Sequence, residues 1–262
     1  MVIMEEKVYT VDFWKTDIHG EEIGIRQKEV LMSKSRQFTR DMDLYGSVKL
    51  GSEEVGYIGY RSGIWDSGEV GLEEKRLVVK FFSKSISWIG SIEELVSRSV
   101  ARSIGVGQPL PAFAVVLAED RIVHYLEKIY RGPARTETYV LSSVDEENGF
   151  LHTVKLVGKR VSLGADFDVL YGAEEKKVGK VDSKLLNVGG KVEVKLSEEV
   201  AESKTLANLL VLFAATLRFQ GGVESKIEKL IDMMKKENRT VKVQSEEVGL
   251  LVNPRILKSA VF

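Results

Sequence analysis

The chain has 262 residues, of which 44% are hydrophobic and 29% charged, with 38 Lys and Arg against 39 Asp and Glu and no cysteine. A chain of this length and apolar content can bury a core, which excludes an intrinsically disordered protein. The absence of cysteine excludes disulfide scaffolds, cysteine-ligated zinc and cysteine nucleophiles. The net charge of -1 excludes the overall basic surface of a non-specific DNA-binding protein.

The N-terminal sequence and the amino-acid usage predict the setting of the protein. Residues 1–7 lack the apolar stretch of a secretory signal, and no run of 18 or more apolar residues occurs, so we expect a cytoplasmic protein without a transmembrane segment. Only five Asn and five Gln occur, whereas Lys and Glu abound, which is a bias reported for heat-adapted proteins. We therefore expect a thermophilic source.

The first hundred residues are predicted to be mostly strands. Residues 8–13 and 23–31 read as a hairpin around a turn at 19–22, and glycines spaced through 45–71 mark turns, bulges or close backbone approach. Residues 77–82 form a short apolar run suited to a buried strand. Ser91 followed by Glu94 has the order of a capping box, which predicts a helix over 91–104.

Residues 112–196 alternate between apolar segments of six to eight residues and turn sequences rich in Gly, Asn and Asp, as in a run of β-hairpins. Strands this numerous need a closed or stacked sheet. Residues 203–219 then form a helix that is apolar nearly all round, and such helices are buried. Gly221 and Gly222 are expected to break that helix before a second one at 223–237, and residues 240–243 and 248–252 read as a last strand pair.

These elements predict a mainly β fold of the α+β type. We expect a closed or near-closed antiparallel β-barrel around a buried hydrophobic helix at 203–219, with accessory helices, because a closed sheet has no unpaired edges and a wide lumen must be filled. Residues 105–111, with two glycines and two prolines, suggest a boundary between an N-terminal region 1–110 and a barrel region 111–262. A single domain 1–262 is the alternative.

Part of the chain resembles the LURP-one-related and tubby-like superfamily, which includes scramblase-like proteins. The resemblance covers residues 139–219 and is carried by residues 154–171, 177–194 and 206–219, which are packing and turn motifs. It implies a twelve-stranded barrel wrapped around a hydrophobic helix. It also implies a role at phospholipid surfaces, since tubby domains bind phosphoinositide head groups.

A cluster of cations is the clearest functional signal in the sequence. Lys155, Lys159 and Arg160 occur within six residues, and Arg131 and Arg135 belong to a turn expected nearby. Clustered cations attract anionic lipid at about 1 kcal/mol per charge near the membrane surface. We therefore predict that these five residues bind an anionic ligand, although alternating Lys and Glu is also typical of any heat-adapted surface.

Other constellations support no chemistry. His19, His124 and His152 are scattered, and a lone histidine on an apolar strand face is more often a core residue than a metal ligand. Asp166 and Asp168 are two residues apart and could form a carboxylate pair. The favoured interpretation is that Asp166 belongs to a turn and that Asp168 points to solvent. The glycine-rich segments lack the context of nucleotide-binding motifs. We expect no cofactor, no metal and no catalytic residues.

The function predicted from these features is non-enzymatic binding of an anionic phospholipid or a protein partner. An enzyme whose site is assembled from distant loops is the first alternative. RNA binding, with Tyr57, Tyr60 and Trp65 as stacking residues beside Arg61, or a scaffold role is the second, although the aromatics could equally form the core at a barrel end. Nucleic acid is the less favoured partner, and the sequence does not determine the oligomeric state. A lipid binder is expected to place an exposed basic patch beside apolar residues.

Overall fold

The computed structural model describes residues 6–14, 37–130, 132, 136–144, 151–159, 166–183, 190–237 and 240–252. Within these residues twelve antiparallel strands form a closed barrel. Each strand pairs with its neighbours in sequence, and the first strand pairs with the last to complete the ring. The predicted mainly β barrel is confirmed.

The strands follow one another as an up-and-down meander. Their bounds, in chain order from β1 to β12, are Lys7–Phe13, Asp43–Leu50, Glu53–Tyr60, Val78–Ser83, Trp88–Glu94, Ala112–Leu117, Val123–Ile129, Thr138–Val144, Leu151–Gly158, Phe167–Tyr171, Lys176–Asp182 and Lys191–Leu196. Strands from the first hundred residues and strands from residues 112–196 therefore belong to the same barrel.

Most strands have one apolar face, which points into the barrel. In β12, Val192, Val194 and Leu196 are buried, whereas the charged residues between them are partly exposed. This alternation follows from the two-residue period of a strand. Strands β4 and β6 differ because both of their faces are buried. Their sequences are almost continuously apolar, which is typical of strands covered on both sides.

Six helices and one 3-10 turn accompany the strands in the described residues. The helices are α1 (Ser62–Trp65), α2 (Val96–Val106), α3 (Glu198–Ala201), α4 (Lys204–Thr216), α5 (Gln220–Glu237) and α6 (Ser245–Val252). The 3-10 turn Leu217–Phe219 connects α4 to α5.

Helix α4 fills the lumen of the barrel. All of its residues from Leu209 to Thr216 are buried, and Phe213 contacts the rings of Tyr139 and Phe167 on the barrel wall. Near the end of α4 the hydroxyl of Tyr45 donates to the carbonyl oxygen of Ala215 at 2.7 Å. The buried hydrophobic helix predicted at 203–219 is thus the core of the barrel.

Helices α4 and α5 together run from Lys204 to Glu237, and this 34-residue segment is long and apolar enough to cross a membrane by length and composition. However, 67% of its most apolar 18-residue window is buried inside the protein. Burial of this kind is what a core helix of a folded barrel shows, and the strands around α4 supply the apolar contacts.

A glycine in β5 allows the central helix to approach the barrel wall. A Cβ atom on Gly90 would lie 2.6 Å from a methyl group of Leu117 and 3.2 Å from a methyl group of Leu212. A larger residue would therefore push α4 away from the sheet. The bulges of β2 against β3, near Gly46 and between Val48 and Lys49, confirm that this glycine-rich region contains irregular strands.

The helix predicted over 91–104 is wrong at its start. Residues 88–94 form strand β5, and the helix begins at Val96. Glu94 does not cap a helix. Instead its carboxylate is fully buried, accepts the backbone N–H of Leu77 at 3.0 Å and pairs with Lys226. This tertiary pairing, which involves residues far apart in the chain, outweighed the local capping pattern.

The predicted break at Gly221 and Gly222 is also misplaced. The irregularity is the 3-10 turn at 217–219, and both glycines lie in the first turn of α5. A Cβ atom on Gly222 would lie 3.1 Å from the ring of Trp65. Packing against this ring compensates for the helix-weakening effect of glycine, which is about 1 kcal/mol.

The strand pair predicted at 240–243 and 248–252 is wrong. Residues 240–244 have no regular structure, and Ser245–Val252 is helix α6. The helix starts with Glu246 and Glu247 in its first turn, where carboxylates favour a helix. Glu246 pairs with Arg61 and Arg76 beside the barrel strands, and Glu247 binds Ser97 at the start of α2, so tertiary contacts stabilise a short helix that the local pattern did not predict.

Candidate functional site

A cavity of about 380 Å³ lies between helix α6 and the outer wall of the barrel. This volume is within the range of small-molecule sites. Ten residues from β4 to β7, the end of β3 and α6 line it, namely Arg61, Arg76, Val78, Lys80, Glu93, Val116, Val123, Glu246, Gly249 and Leu250. We call it the α6 cavity.

The alternation of β4 explains why a lysine lies in this cavity. Val79 and Phe81 point inward and belong to the barrel core, so Val78 and Lys80 point outward. The outer wall here is otherwise apolar, because Val116 and Val123 form a cluster against which Leu250 packs. Lys80 and Arg76, just before β4, are therefore cations placed on an apolar surface beneath a covering helix.

Arg76 is the most deeply buried cation of the α6 cavity, with 1% of its surface exposed. Its Nη2 atom lies 3.2 Å from a carboxylate oxygen of Glu93 and also bonds Glu246. Its Nε and Nη1 atoms are buried and have no hydrogen-bond partner among the described residues. Nε carries one N–H group and Nη1 carries two, so three buried N–H groups of the guanidinium lack an acceptor among the described residues, which is energetically costly.

Lys80 is 9% exposed, and its ammonium group donates to the backbone oxygen of Gln37 at 3.0 Å and to the side-chain oxygen of the same residue at 3.1 Å. No carboxylate lies within ion-pair distance of it in the described part of the chain. Burial lowers the pKa of Lys80 below its ordinary value of 10.5, although the nearby charge of Glu93 opposes that shift. The charged Lys80 ammonium group is therefore held by the neutral oxygens of Gln37, which compensate only in part for its loss of hydration.

Arg61 completes the set of cations at the edge of the cavity. Its Nε atom lies 2.7 Å from Asp41, and its Nη1 atom lies 3.2 Å from Glu246. Burial acts to raise the pKa of Asp41, but hydrogen bonds from Thr39 and Arg61 lower it below the ordinary value. Asp41 therefore stays ionised and holds Arg61 in position.

Charge alone does not make the α6 cavity an anion site. Its three cations face two lining carboxylates, and Asp41 pairs with Arg61 from outside the lining. What distinguishes the cavity is the pairing pattern, because Arg76 has two unused nitrogen atoms and Lys80 has no carboxylate partner in the described residues. The cavity is therefore lined by cations that the described carboxylates pair only in part.

Helix α6 is held over the cavity at several points. The buried carboxylate of Glu247 accepts the backbone N–H of Ser97 at 3.0 and 3.2 Å and the Ser97 hydroxyl at 2.5 Å, so it binds the first turn of α2. The hydroxyl of Tyr125 donates to the carbonyl oxygen of Leu250 at 3.1 Å. Glu246 adds its bonds to Arg61 and Arg76. These contacts are independent of the apolar face of the helix.

The outward face of α6 is apolar, which reverses the usual orientation of a surface helix. Val248, Leu251 and Val252 are spaced three and four residues apart, so they share one face, and each is between 38% and 57% exposed. Val243, just before the helix, is 41% exposed. We call these four residues the α6 stripe. Since Glu246 and Glu247 point to the barrel, the helix presents apolar side chains to its surroundings.

The cluster predicted from the sequence is only partly described by the structure. Arg131, Arg135 and Arg160 lie outside the described residues. Lys155 pairs with Glu175, and Lys159 lies 3.5 Å from Asp168. The binding role predicted for the five residues stays a prediction, and the two that are described already have carboxylate partners.

The other residues considered in the sequence have structural roles where they are described. His124 is buried, and its Nε2 lies 2.7 Å from Asp120 in a hydrogen bond, as expected for a core histidine. Asp166 accepts the backbone N–H of Ser183 at 3.0 Å. Although burial acts to raise the pKa of Asp168, its bonds with Lys177 and Lys159 lower it. His19 and the side chain of His152 lie outside the described residues.

The aromatics considered for RNA stacking take part in the packing of the barrel end. Tyr60 is buried, donates to Asp66 at 2.6 Å and contacts the ring of Phe219. Trp65 contacts the same ring edge-on. The hydroxyl of Tyr57 donates to Glu54 at 2.8 Å. This is the arrangement of the barrel-end core that the sequence left open as an alternative.

Sequence reasoning missed Lys80 and Arg76, and it considered Arg61 only for RNA binding beside aromatic residues. For Lys80 a signal was present, because a lysine in the middle of an apolar run suited to a buried strand must be buried or must line a covered site. For Arg61 and Arg76 the sequence holds no such signal. Their meeting depends on the pairing of distant strands and on the position of α6.

Comparison with known proteins adds no assignment. No family model matches the chain, and no curated protein and no solved structure matches it either. In the described residues no group of three or more His, Asp or Glu side chains could hold a metal ion.

Proposed function

We propose that this protein is a non-enzymatic binder of anionic phospholipid, which takes the lipid phosphate into the α6 cavity and rests the α6 stripe against the acyl region. The observation that carries the proposal is the position of a helix with an outward apolar face directly over a cavity that Arg61, Arg76 and Lys80 line. The combination of a basic site and adjacent exposed apolar side chains fits the surface of an anionic membrane.

The cavity supplies the contacts for the head group. An oxyanion in the cavity would lie among Arg61, Arg76 and Lys80, and Lys80 would gain a counter-charge. Charge-assisted hydrogen bonds of this kind are about twice as strong as neutral ones. A phosphate group offers several oxygens, so it can serve both cations at once.

The α6 stripe supplies the contact with the lipid. An apolar side chain gains about 0.8 kcal/mol per buried CH₂ when it leaves water. Val248, Leu251 and Val252 lie on the face of α6 that points away from the barrel, and the cavity lies beneath the other face. A membrane approached from this side would meet the α6 stripe, and the cavity would lie behind the helix, farther from the acyl region.

The architecture also supports a proposed membership of the LURP-one-related and tubby-like superfamily. A twelve-stranded barrel around an apolar helix is the fold that the resemblance of residues 139–219 implies. We propose on the same grounds that the protein is cytoplasmic and associates with the membrane peripherally.

An enzymatic role finds less support in the lining of the cavity. The described lining contains no serine, threonine, histidine or tyrosine. Glu246 bonds Arg76, and Glu93 lies 3.2 Å from the same guanidinium. Both carboxylates are paired with a guanidinium, and neither is placed as a nucleophile beside a base.

Co-sedimentation with vesicles tests the proposal. The probes are vesicles of phosphatidylcholine alone and of phosphatidylcholine mixed with phosphatidic acid, whose head group is a bare phosphate. We expect the protein to bind only the mixed vesicles. The double variant Arg61→Gln with Lys80→Gln should weaken binding about thirtyfold, from about 1 kcal/mol per charge.

A matched control separates the cavity from a general charge effect. The double variant Lys155→Gln with Lys159→Gln removes the same number of charges from the cluster predicted by sequence, and it should bind with an affinity close to that of the original chain. Leu251→Ser with Val252→Ser should also weaken binding.

Three results would contradict the proposal. One is equal, negligible binding to both kinds of vesicle. Another is a loss of binding in the Lys155 and Lys159 variant that matches the loss in the cavity variant. The third is self-association of the protein that the stripe variant abolishes while vesicle binding stays unchanged, which would identify a second copy of the chain as the partner of α6.

A further inference from the structure

The α6 cavity already contains a carboxylate at the place where an anion would bind. One oxygen of Glu246, Oε2, bonds Nη2 of Arg76 and lies 3.2 Å from Nη1 of Arg61. No other described carboxylate contacts both arginines. Unlike Glu93, whose side chain is 17% exposed, the side chain of Glu246 is 54% exposed.

Resting on the proposed function, we propose that Glu246 is a built-in competitor, which occupies the oxyanion position of the cavity and must leave it before a lipid phosphate can bind both arginines. Its carboxylate carries the same charge sign as the ligand and uses the same donors. Two anions cannot share those donors at close range without strong repulsion. The affinity for lipid therefore depends on the difference between two free energies, that of the lipid phosphate binding the arginines and that of the Glu246 carboxylate binding them.

The structure allows Glu246 to leave without releasing the helix. Its side chain is on the first turn of α6 and is half exposed, so a change of rotamer can carry the carboxylate into solvent. Helix α6 remains attached through Glu247 to Ser97 and through Leu250 to Tyr125. The α6 stripe thus stays in place beside the cavity while the carboxylate moves.

The competition also explains why the cavity tolerates its buried cations in the absence of lipid. With Glu246 in place, Arg76 has carboxylates near its Nη2 atom only, and its Nε and Nη1 atoms remain unused. A carboxylate that approaches from one side bonds only part of the guanidinium. A phosphate group has more oxygens and can bond more of the cationic donors, which gives the ligand its advantage over Glu246.

Glu246→Gln tests this inference with the same vesicles of phosphatidylcholine and phosphatidic acid. The variant retains the shape of the side chain and removes its charge, so we expect binding about fivefold tighter than that of the original chain. The matched control is Glu119→Gln, which removes one charge from an exposed residue outside the cavity and should bind only slightly more tightly than the original chain.

A second measurement reads the position of the carboxylate directly. With the glutamates labelled with ¹³C at their side-chain carboxyl carbons, the NMR signal of Glu246 should shift when mixed vesicles are added and should stay unchanged with phosphatidylcholine alone. The signal of Glu247, which remains bound to Ser97, should not shift.

The outcomes separate this inference from the proposed function. Vesicle binding with equal affinity in Glu246→Gln and Glu119→Gln, or without a shift of the Glu246 signal, overturns the inference and leaves the proposed function standing. Tighter binding in Glu246→Gln alone, together with the shift, supports it. Failure of the original chain and of Glu246→Gln to bind mixed vesicles overturns both.

Discussion

Buried side chains in the lumen of the barrel differ from those beneath α6, on its outer wall, in how their contacts are made. In the lumen, α4 is buried from Leu209 to Thr216 and packs on apolar strand faces, and the hydroxyl of Tyr45 donates to the carbonyl oxygen of Ala215. Beneath α6, Arg76 is equally buried but has two nitrogen atoms without partners among the described residues. Apolar packing dominates the first region, whereas the second leaves buried polar atoms without acceptors in the described part of the chain.

The helices of these two regions, α4 and α6, also differ in the faces that they present. Helix α4 presents apolar residues on every side because every side meets the barrel. Helix α6 turns its acidic residues toward the barrel and its apolar residues outward. An apolar face without a described partner costs free energy in water, and that cost is recovered only when a partner or a membrane covers the face.

The largest expected effect comes from a charge placed in the lumen. Leu212 is fully buried at the centre of α4. An unpaired carboxylate there costs several kcal/mol, which is comparable with the whole stability of a domain at about 5–15 kcal/mol. We expect Leu212→Asp to prevent folding, as seen by loss of near-ultraviolet circular dichroism and of soluble protein.

The control for that experiment uses the outer helix. Leu251→Asp places the same carboxylate on the exposed α6 stripe and should leave the melting temperature nearly unchanged. A Leu212→Asp protein that folds and melts like the original chain would show that α4 is not the core of the barrel.

A smaller effect is expected at the buried ion pair where the barrel meets α5. Lys226 is 4% exposed in its side chain, Glu94 is fully buried, and their charged atoms are 2.5 Å apart. Removing one partner of such a pair costs about 3–5 kcal/mol, whereas replacing both can be neutral. Lys226→Met should lower the free energy of unfolding in urea by that amount.

The double variant Glu94→Gln with Lys226→Met should recover most of the loss, since glutamine still accepts the N–H of Leu77. Lys84→Met, which breaks an exposed pair with Glu53, serves as the control and should barely change the unfolding midpoint. A double variant as unstable as Lys226→Met would mean that the loss comes from packing and not from the stranded carboxylate.

The smallest expected effect is the pH dependence of anion binding at the α6 cavity. Burial lowers the pKa of Lys80, so the folded protein loses this proton at a lower pH than an ordinary lysine with a pKa of 10.5. The cost of burying the charge is complete below the folded pKa, decreases as the pH rises above it, and is gone above the unfolded pKa of about 10.5. Binding of anionic vesicles should weaken as the pH rises through the folded pKa.

Lys80→Arg tests this dependence because a guanidinium stays charged throughout that range. At alkaline pH the variant should bind mixed vesicles about fivefold more tightly than the original chain, while the two should be similar at neutral pH. Lys155→Arg provides the control, with an unchanged pH profile. Identical profiles for Lys80→Arg and the original chain would remove Lys80 from the site.

Prediction from sequence succeeded where a local pattern and the tertiary fold agree. The alternation in Lys191–Leu196 and the uniform apolar character of the segment around Leu212 are properties of neighbouring residues, and both determine which faces are buried. Prediction failed at Glu94 and at Ser245–Val252, where side-chain partners over a hundred residues away in the chain decided the local structure.

Hydrophobic periodicity is a property of consecutive residues, so the order of the amino acids alone predicts a strand-rich barrel with an apolar helix inside. Which charges meet depends on the folded structure. Arg61, Arg76 and Glu246 come from the end of one strand, the start of another and a helix near the C-terminus. Their convergence depends on barrel closure and on the docking of α6, and these long-range contacts leave no periodic trace in the chain.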